Sequence, residues 1–282
     1  MKIIVNKNFP NERDLYGEKN LLIRNCTFKG VEDGESALKE AQDITLENCL
    51  MDLRYPLWHN KNVVLRNCEM TDKCRAALWY TDNIAIYDSV LSGIKALREC
   101  SEITMTHVNI NSPEFGWKSS RIKASDCEII SEYPFFEAKD IELKNISLTG
   151  KYSFQYTENL FIANSLFNTK DSFWHAKNVT VKDTVIKGEY LGWYSDGLTL
   201  ERCKIIGTQP FCYCKNLTLK DCEMEETDLS FEYSDVNAEI NGDILSVKNP
   251  KSGIITADNI GEIIITDNSK YRCDCKIEIR NK

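Results

Sequence analysis

The chain has 282 residues, with 35 Lys and Arg against 43 Asp and Glu and a formal net charge of −8. An acidic, mixed-sign balance argues against a nucleic-acid partner, which calls for a basic stripe, and it disfavours an acidic polysaccharide in the absence of a local basic patch. Met1-Lys-Ile-Ile-Val5 is too short, and too polar afterwards, for a signal peptide, and no apolar run is long enough to span a bilayer. A cytoplasmic protein with no membrane partner is expected.

Residues 1–20 read as an N-terminal strand and cap. After them a decapeptide pattern recurs, as in Gln42-Asp-Ile-Thr-Leu-Glu-Asn-Cys-Leu-Met51, Lys61-Asn-Val-Val-Leu-Arg-Asn-Cys-Glu-Met70 and Lys177-Asn-Val-Thr-Val-Lys-Asp-Thr-Val-Ile186. Its register is marked by Asn25, Asn48, Asn67, Asp88, His107, Asp126, Asn145, Asn164, Asp183, Arg202 and Asp221. From Asp88 to Asp221 the marks are evenly spaced, without one slip. An unbroken period of that kind is the mark of a solenoid.

Number each unit from the polar residue that opens the decapeptide. Positions 3 and 5 are aliphatic (Val63 and Leu65, Ile84 and Ile86, Val179 and Val181), which reads as a strand with one buried face. Position 8 is small or apolar and position 10 apolar, so both are expected inside. Asn or Asp at position 7 tolerates a left-handed backbone and predicts a bend between two short strands. Positions 1 and 2 predict a second turn. Positions 14–18, such as Tyr55-Pro-Leu-Trp-His59 and Asp171-Ser-Phe-Trp-His175, are expected to form a third strand. Three strands and three turns per 19-residue coil predict an all-β fold, a single-stranded parallel β-helix of about 11–13 coils stacked at ~4.8 Å. Regular coils are expected over 21–233, with small insertions near Val31–Ala41 and Thr71–Arg75. Residues 234–282 lose the register and suit irregular coils and a C-terminal cap. No linker divides the chain, which is therefore expected to be one domain over 1–282.

The coil pattern resembles the right-handed β-helix of pectin-lyase-like proteins. Arg-Tyr-Pro-Leu-Trp-His (54–59), Cys-Arg-Ala-Ala-Leu-Trp-Tyr (74–80), Lys-Ala-Leu-Arg-Glu-Cys (95–100), Ser-Pro-Glu-Phe-Gly-Trp (112–117) and Gly-Thr-Gln-Pro (207–210) resemble an uncharacterised bacterial family with this fold. The resemblance covers nearly the whole chain. It implies a right-handed coil and a cytoplasmic bacterial origin. It brings no established activity and no catalytic residues.

Six of the twelve cysteines (Cys26, Cys49, Cys68, Cys127, Cys203, Cys222) occupy position 8. Stacked parallel strands point such thiols the same way, which is poor disulfide geometry, so they are expected to be reduced and buried. Cys212-x-Cys214 and Cys273-x-Cys275 fit no strong metal spacing, and neither a metal nor another cofactor is expected. His59 and His175 share position 18 but lie six coils apart, so they cannot serve one site. His107 takes a place in the bend column.

The third segment carries the functional candidates. Position 16 includes Leu57, Leu78, Phe135, Phe154 and Phe173, and position 17 includes Trp58, Trp79, Arg98, Trp117, Phe136, Trp174 and Trp193. Position 18 includes His59, Tyr80, Glu99, Lys118, Glu137, Tyr156, His175 and Tyr194. Strand alternation places 16 and 17 on opposite faces, with 18 on the face of 16. An outward aromatic column such as Phe173 is then expected to mark a binding surface. Two readings follow. One is a binding or self-assembly scaffold, a homodimer or a complex with another protein. The other is a carbohydrate-active protein, a polysaccharide hydrolase or lyase, with glycan rings stacked on Trp58, His59, Trp79, Tyr80, Trp117, Tyr156, Trp174, His175, Trp193 and Tyr194. Its candidate catalytic groups are Glu99 and Glu137, about 9.6 Å apart on backbone spacing, with Lys118 between them and Arg98 beside them. That separation is near the upper end of the ~6.5–9.5 Å of inverting glycosidases. The plainer reading of Glu-Lys-Glu is a ladder of compensated surface charge.

Overall fold

The structure, a computed structural model, describes residues 1–30 and 35–280. Val31–Gly34, part of one expected insertion, lie outside the described residues. Two compact units are present, Met1–Ser147 and Leu148–Lys282.

In unit 1 the first strand of each coil recurs as Lys2–Val5, Lys19–Arg24, Gln42–Glu47, Lys61–Arg66, Asp82–Tyr87, Ser101–Thr106, Ser120–Ser125 and Lys139–Lys144. Successive copies pair in parallel and in register, so Ile44, Val63, Ile84, Ile103, Ile122 and Ile141 form one file. Lys2–Val5 already pairs with Leu21–Arg24, and Asn8–Phe9 with Thr27–Phe28, so the coil course begins before residue 21. Unit 2 repeats the arrangement with Glu158–Ala163, Lys177–Lys182, Asp196–Glu201, Leu217–Glu225, Asp235–Ile240, Ser252–Ala257 and Lys276–Ile279. There Leu160, Val179 and Leu198 are in register. Each unit is thus single-stranded parallel β-helix, wound in the right-handed sense that parallel crossover connections adopt.

Positions 3, 5, 8 and 10 are inside, as Ile44, Leu46, Cys49 and Met51 illustrate. Both turn columns are left-handed at every coil from Asn20 to Asp221. Position 7 runs from Asn25 (φ 51°) to Asp221 (φ 51°) and includes His107 and Arg202; position 2 includes Asn20, Asp43, Asn62 and Glu102. Left-handed residues are costly for most side chains. Here the coil offers a return, because stacked amides bond one another: Asn48 Nδ2 donates to Asn25 Oδ1 at 3.0 Å and Asn67 Nδ2 to Asn48 Oδ1 at 2.8 Å. All twelve cysteines are free thiols, and the six at position 8 are buried.

The third segment departs from the expected strand. Among the described residues only Leu78–Trp79 and Leu97–Arg98 pair as strands there. In later coils the backbone is left-handed at positions 14, 16 and 18, as at Tyr133, Phe135 and Glu137 or Asp171, Phe173 and His175. Each left-handed residue turns the chain and breaks the two-residue alternation. Position 16 is therefore inside, position 18 is outside and the tryptophans at position 17 are part-exposed, so position 18 does not share the face of position 16. Phe173, expected outward, is 1% exposed and stacks on Phe154 at 5.3 Å within the core. Where position 16 is glycine, the next coil fills the space: a Cβ on Gly192 would sit 2.8 Å from the Phe211 ring.

The register slips once, after the last regular coil. An extra residue enters between Glu225 and Asp228, and Tyr213 N then bonds Glu232 O at 2.8 Å. Phe231 consequently joins the inner column, stacked on Phe211 at 6.0 Å, and Tyr233 rather than Glu232 follows Tyr213.

Candidate functional site

In unit 1 positions 17 and 18 build a ladder with charged rungs. Trp58 stacks on Trp79 with centroids 5.8 Å apart, and Lys39 Nζ lies 4.9 Å from the Trp58 ring. The Arg98 guanidinium sits 5.1 Å from Trp79 and 5.2 Å from Trp117, and Trp117 meets Phe136 at 5.0 Å. A guanidinium between two indoles gains from both ring faces. Beside it, His59 meets Tyr80 at 4.8 Å. Arg98 also reaches Glu99 at 3.4 Å and Glu114 at 3.8 Å, and Lys95 pairs with Glu114 at 3.3 Å. Lys118 pairs with Glu137 at 3.7 Å. Glu99, Lys118, Glu137 and Arg98 are thus each engaged with an opposite charge, the arrangement of a compensated ladder.

In unit 2 position 18 is aromatic from Tyr156 to Tyr213, and no Lys, Arg, Asp or Glu stands at position 17 or 18 of those coils. Tyr156, His175, Tyr194 and Tyr213 follow one another at 4.8, 5.0 and 4.7 Å, with ring planes within 9°. Trp174 stacks on Trp193 at 5.5 Å. Rings stacked this closely cover one another's faces. What the column offers outward is ring edges: three tyrosine hydroxyls and one imidazole. Tyr156 and Tyr194 are 49% and 45% exposed. Burial, then the neighbouring Tyr194 and Glu232, pushes the Tyr213 phenol above its ordinary value.

The two columns are tied to position 14 by a recurring bond. The position-17 side chain of one coil donates to the position-14 carbonyl of the next. Trp117 Nε1 bonds Tyr133 O at 2.6 Å, Gln155 Nε2 bonds Asp171 O at 3.0 Å, Trp174 Nε1 bonds Tyr190 O at 2.7 Å and Trp193 Nε1 bonds Gln209 O at 3.0 Å. The residue before each donating tryptophan is left-handed (Gly116, Phe173, Gly192). Leu57 and Leu78 are not, and the indole N–H groups of Trp58 and Trp79 are sealed without a hydrogen-bond partner among the described residues.

One residue of this face was not singled out from the sequence. Asp171, at position 14 of the His175 coil, is 9% exposed. Burial raises its carboxyl above the ordinary value, with Lys170 opposing and Glu189 adding to the rise. The signal was present in the column: Asp171 stands between Tyr152 and Tyr190 where neighbouring coils carry an aromatic ring. The sequence pattern alone did not say that position 14 is covered.

The remaining candidates are dispersed. His107 faces Asp88 at 3.4 Å in the bend column. Cys212 and Cys214 are buried, and burial pushes the Cys214 thiol up to about 11. Among the described residues no helix is long and apolar enough to cross a membrane.

The coils and this face define a single-stranded parallel β-helix bearing outward aromatic ladders. The chain belongs to the family described as "Protein of unknown function (DUF3737)", whose match spans residues 2–278. No curated protein matches it. Among solved structures it is similar to PfbA, a surface adhesin of Streptococcus pneumoniae, at 12% identity and TM-score 0.39, over 85% of this chain and 79% of that one. It is similar to the tailspike protein of E. coli bacteriophage HK620 at 8% identity and TM-score 0.43, over 92% and 62%. The A-module of the Azotobacter vinelandii mannuronan C-5 epimerase AlgE4 matches at 9% identity and TM-score 0.30, over 95% and 88%. At these values the likenesses carry no argument about ligands.

Proposed function

We propose that this protein is a protein-binding module that pairs with a second copy of itself through the aromatic column of unit 2. The observation that carries this reading is the row Tyr156, His175, Tyr194 and Tyr213, stacked face to face with its edges outward. Ring faces closed in this way leave little for a sugar ring to stack on. Edges ending in hydroxyls suit protein contact, where tyrosine is enriched. A hydroxyl both donates and accepts, so such a row is complementary to a copy of itself. The twelve free thiols fit a reducing, cytoplasmic setting.

The test is sedimentation of wild type beside Tyr194→Glu. Wild type is expected to be a dimer, and the variant, which brings two carboxylates together at a paired face, a monomer. A wild type that is monomeric at high concentration removes the self-association reading. If that monomer takes a glycan from a broad panel and Tyr194→Glu abolishes the binding, the face serves sugars instead.

A further inference from the structure

The geometry points to Asp171 as an anchoring site for a basic side chain, a lysine ammonium or arginine guanidinium, carried by a bound protein partner. It rests on the reading of the unit 2 face as a protein-contact surface.

Two position-14 carboxylates of this chain differ in their partners. Glu114 in unit 1 has its cations one coil earlier. Lys95, at position 14 of the preceding coil, lies at 3.3 Å, and Arg98, at position 17 of that coil, at 3.8 Å. In the coil before Asp171 the same two positions hold Tyr152 and Gln155. Gln155 is neutral, and one N–H of its amide bonds the Asp171 backbone carbonyl at 3.0 Å. Among the described residues no donor lies within hydrogen-bond reach of the Asp171 carboxyl, and none pairs with it as a salt bridge. Lys170, its chain neighbour, acts on it only through space, and Glu189 opposes that effect.

A carboxyl this covered and this poorly partnered is costly, because a buried charge is stable only when paired and hydrogen-bonded. Its oxygens are not among the polar atoms sealed without a partner. The surroundings select what arrives. Trp174, three residues on in the same coil, bonds the Tyr190 carbonyl at 2.7 Å, and Gln155 of the coil before bonds the Asp171 carbonyl. Aromatic rings beside a carboxylate favour a cation over a neutral donor, since the ring quadrupole adds to the charge attraction. Unit 1 uses that combination internally, with Arg98 held by indoles and by Glu114. In unit 2 the carboxylate and the rings are present, and the cation is left for the partner to bring.

The experiment titrates Nα-acetyl-lysine amide, its neutral isostere Nα-acetyl-norleucine amide, and n-butylammonium into wild type, Asp171→Asn and Gln155→Arg. The readout is the carboxyl carbon resonance of Asp171 and the backbone amide resonances. Saturable shifts with the lysine amide, absent with the norleucine compound and weakened about tenfold or more in Asp171→Asn, are expected for a charged hydrogen bond. Gln155→Arg, which restores the cation pattern found around Glu114, should also suppress binding and lower the Asp171 pKa without ligand. Binding of n-butylammonium as tight as that of the lysine amide keeps the cation site but moves its source to a small amine. Equal shifts from the norleucine compound, or binding unchanged in Asp171→Asn, overturn the proposal. Tyr194→Glu separates the two readings. If it disrupts dimers yet leaves the lysine response intact, both stand. If wild type is monomeric and still binds the lysine amide through Asp171, only the self-association reading fails.

Discussion

The third segments of the two units follow one backbone plan and fill it with opposite chemistry. In unit 1 the outward column alternates rings with charges: Trp79, Arg98 and Trp117, with Glu99, Lys118 and Glu137 alongside. Each charge finds its counter-charge one coil away or next to it. In unit 2 the position-18 column is rings from Tyr156 to Tyr213, and among the described residues no salt bridge reaches the covered carboxyl of Asp171. In stacked coils, then, electrostatic balance is reached along columns. A position is satisfied or left open by what stands at positions 14 and 17 of the coil before it, and its sequence neighbours matter less.

The largest effect should come from the inner column, where the two units agree. Phe135→Ala and Phe173→Ala each remove a fully buried ring and should destabilise by about 3–5 kcal/mol in urea unfolding. A value near zero for Phe173 would place it outside and break the comparison at its base.

Next in size is the charged rung. Arg98→Met should cost about 1–3 kcal/mol, since it removes the contact with two indoles and leaves Glu99 without its nearest cation. Gln155→Arg in unit 2 should move stability the other way at neutral pH by giving Asp171 a cation. If both changes destabilise alike, the columns are not equivalent.

Asp171→Asn sharpens the contrast through pH. The folded-state pKa of Asp171 is raised above its unfolded value, chiefly by burial. The folded state therefore holds the proton more tightly, and wild type loses stability relative to Asp171→Asn as pH rises from the unfolded pKa through the folded one. Above that window the asparagine variant should be the more stable protein, and at low pH the gap should close. Thermal melts of both proteins across the acidic and neutral range give the sign. A variant less stable at neutral pH would mean that the carboxylate already has a partner.

The smallest effect separates the tryptophans. Trp193→Phe gives up a bond to Gln209 O and should cost about 0.5–1.5 kcal/mol more than Trp79→Phe, whose indole N–H has no partner to lose. Equal costs would remove the distinction drawn from the left-handed residue before the donating indoles.

The coil was legible in the amino-acid sequence. An even period, aliphatic residues at positions 3 and 5, a small residue at 8 and Asn or Asp at 7 are local signals, and each maps onto a strand, an inner column or a left-handed bend. Even His107 and Arg202 take the left-handed bend, because the register imposes it on whatever residue arrives. The same pattern was enough to pick the third segment as the part that combines aromatic and titratable side chains. The direction in which those side chains point came from the stacked fold. Alternation assumes an extended chain, and left-handed residues at 14, 16 and 18 break it, sending Phe173 inward and both Trp174 and His175 outward. Left-handed Tyr, Phe and His carry no mark in a sequence, since their own propensity opposes that backbone and the stacked coils hold it in place. Asp171 was illegible for the same reason. Whether a carboxyl is covered and unpartnered depends on residues in the coils before and after it, and those become its neighbours only when the coils stack.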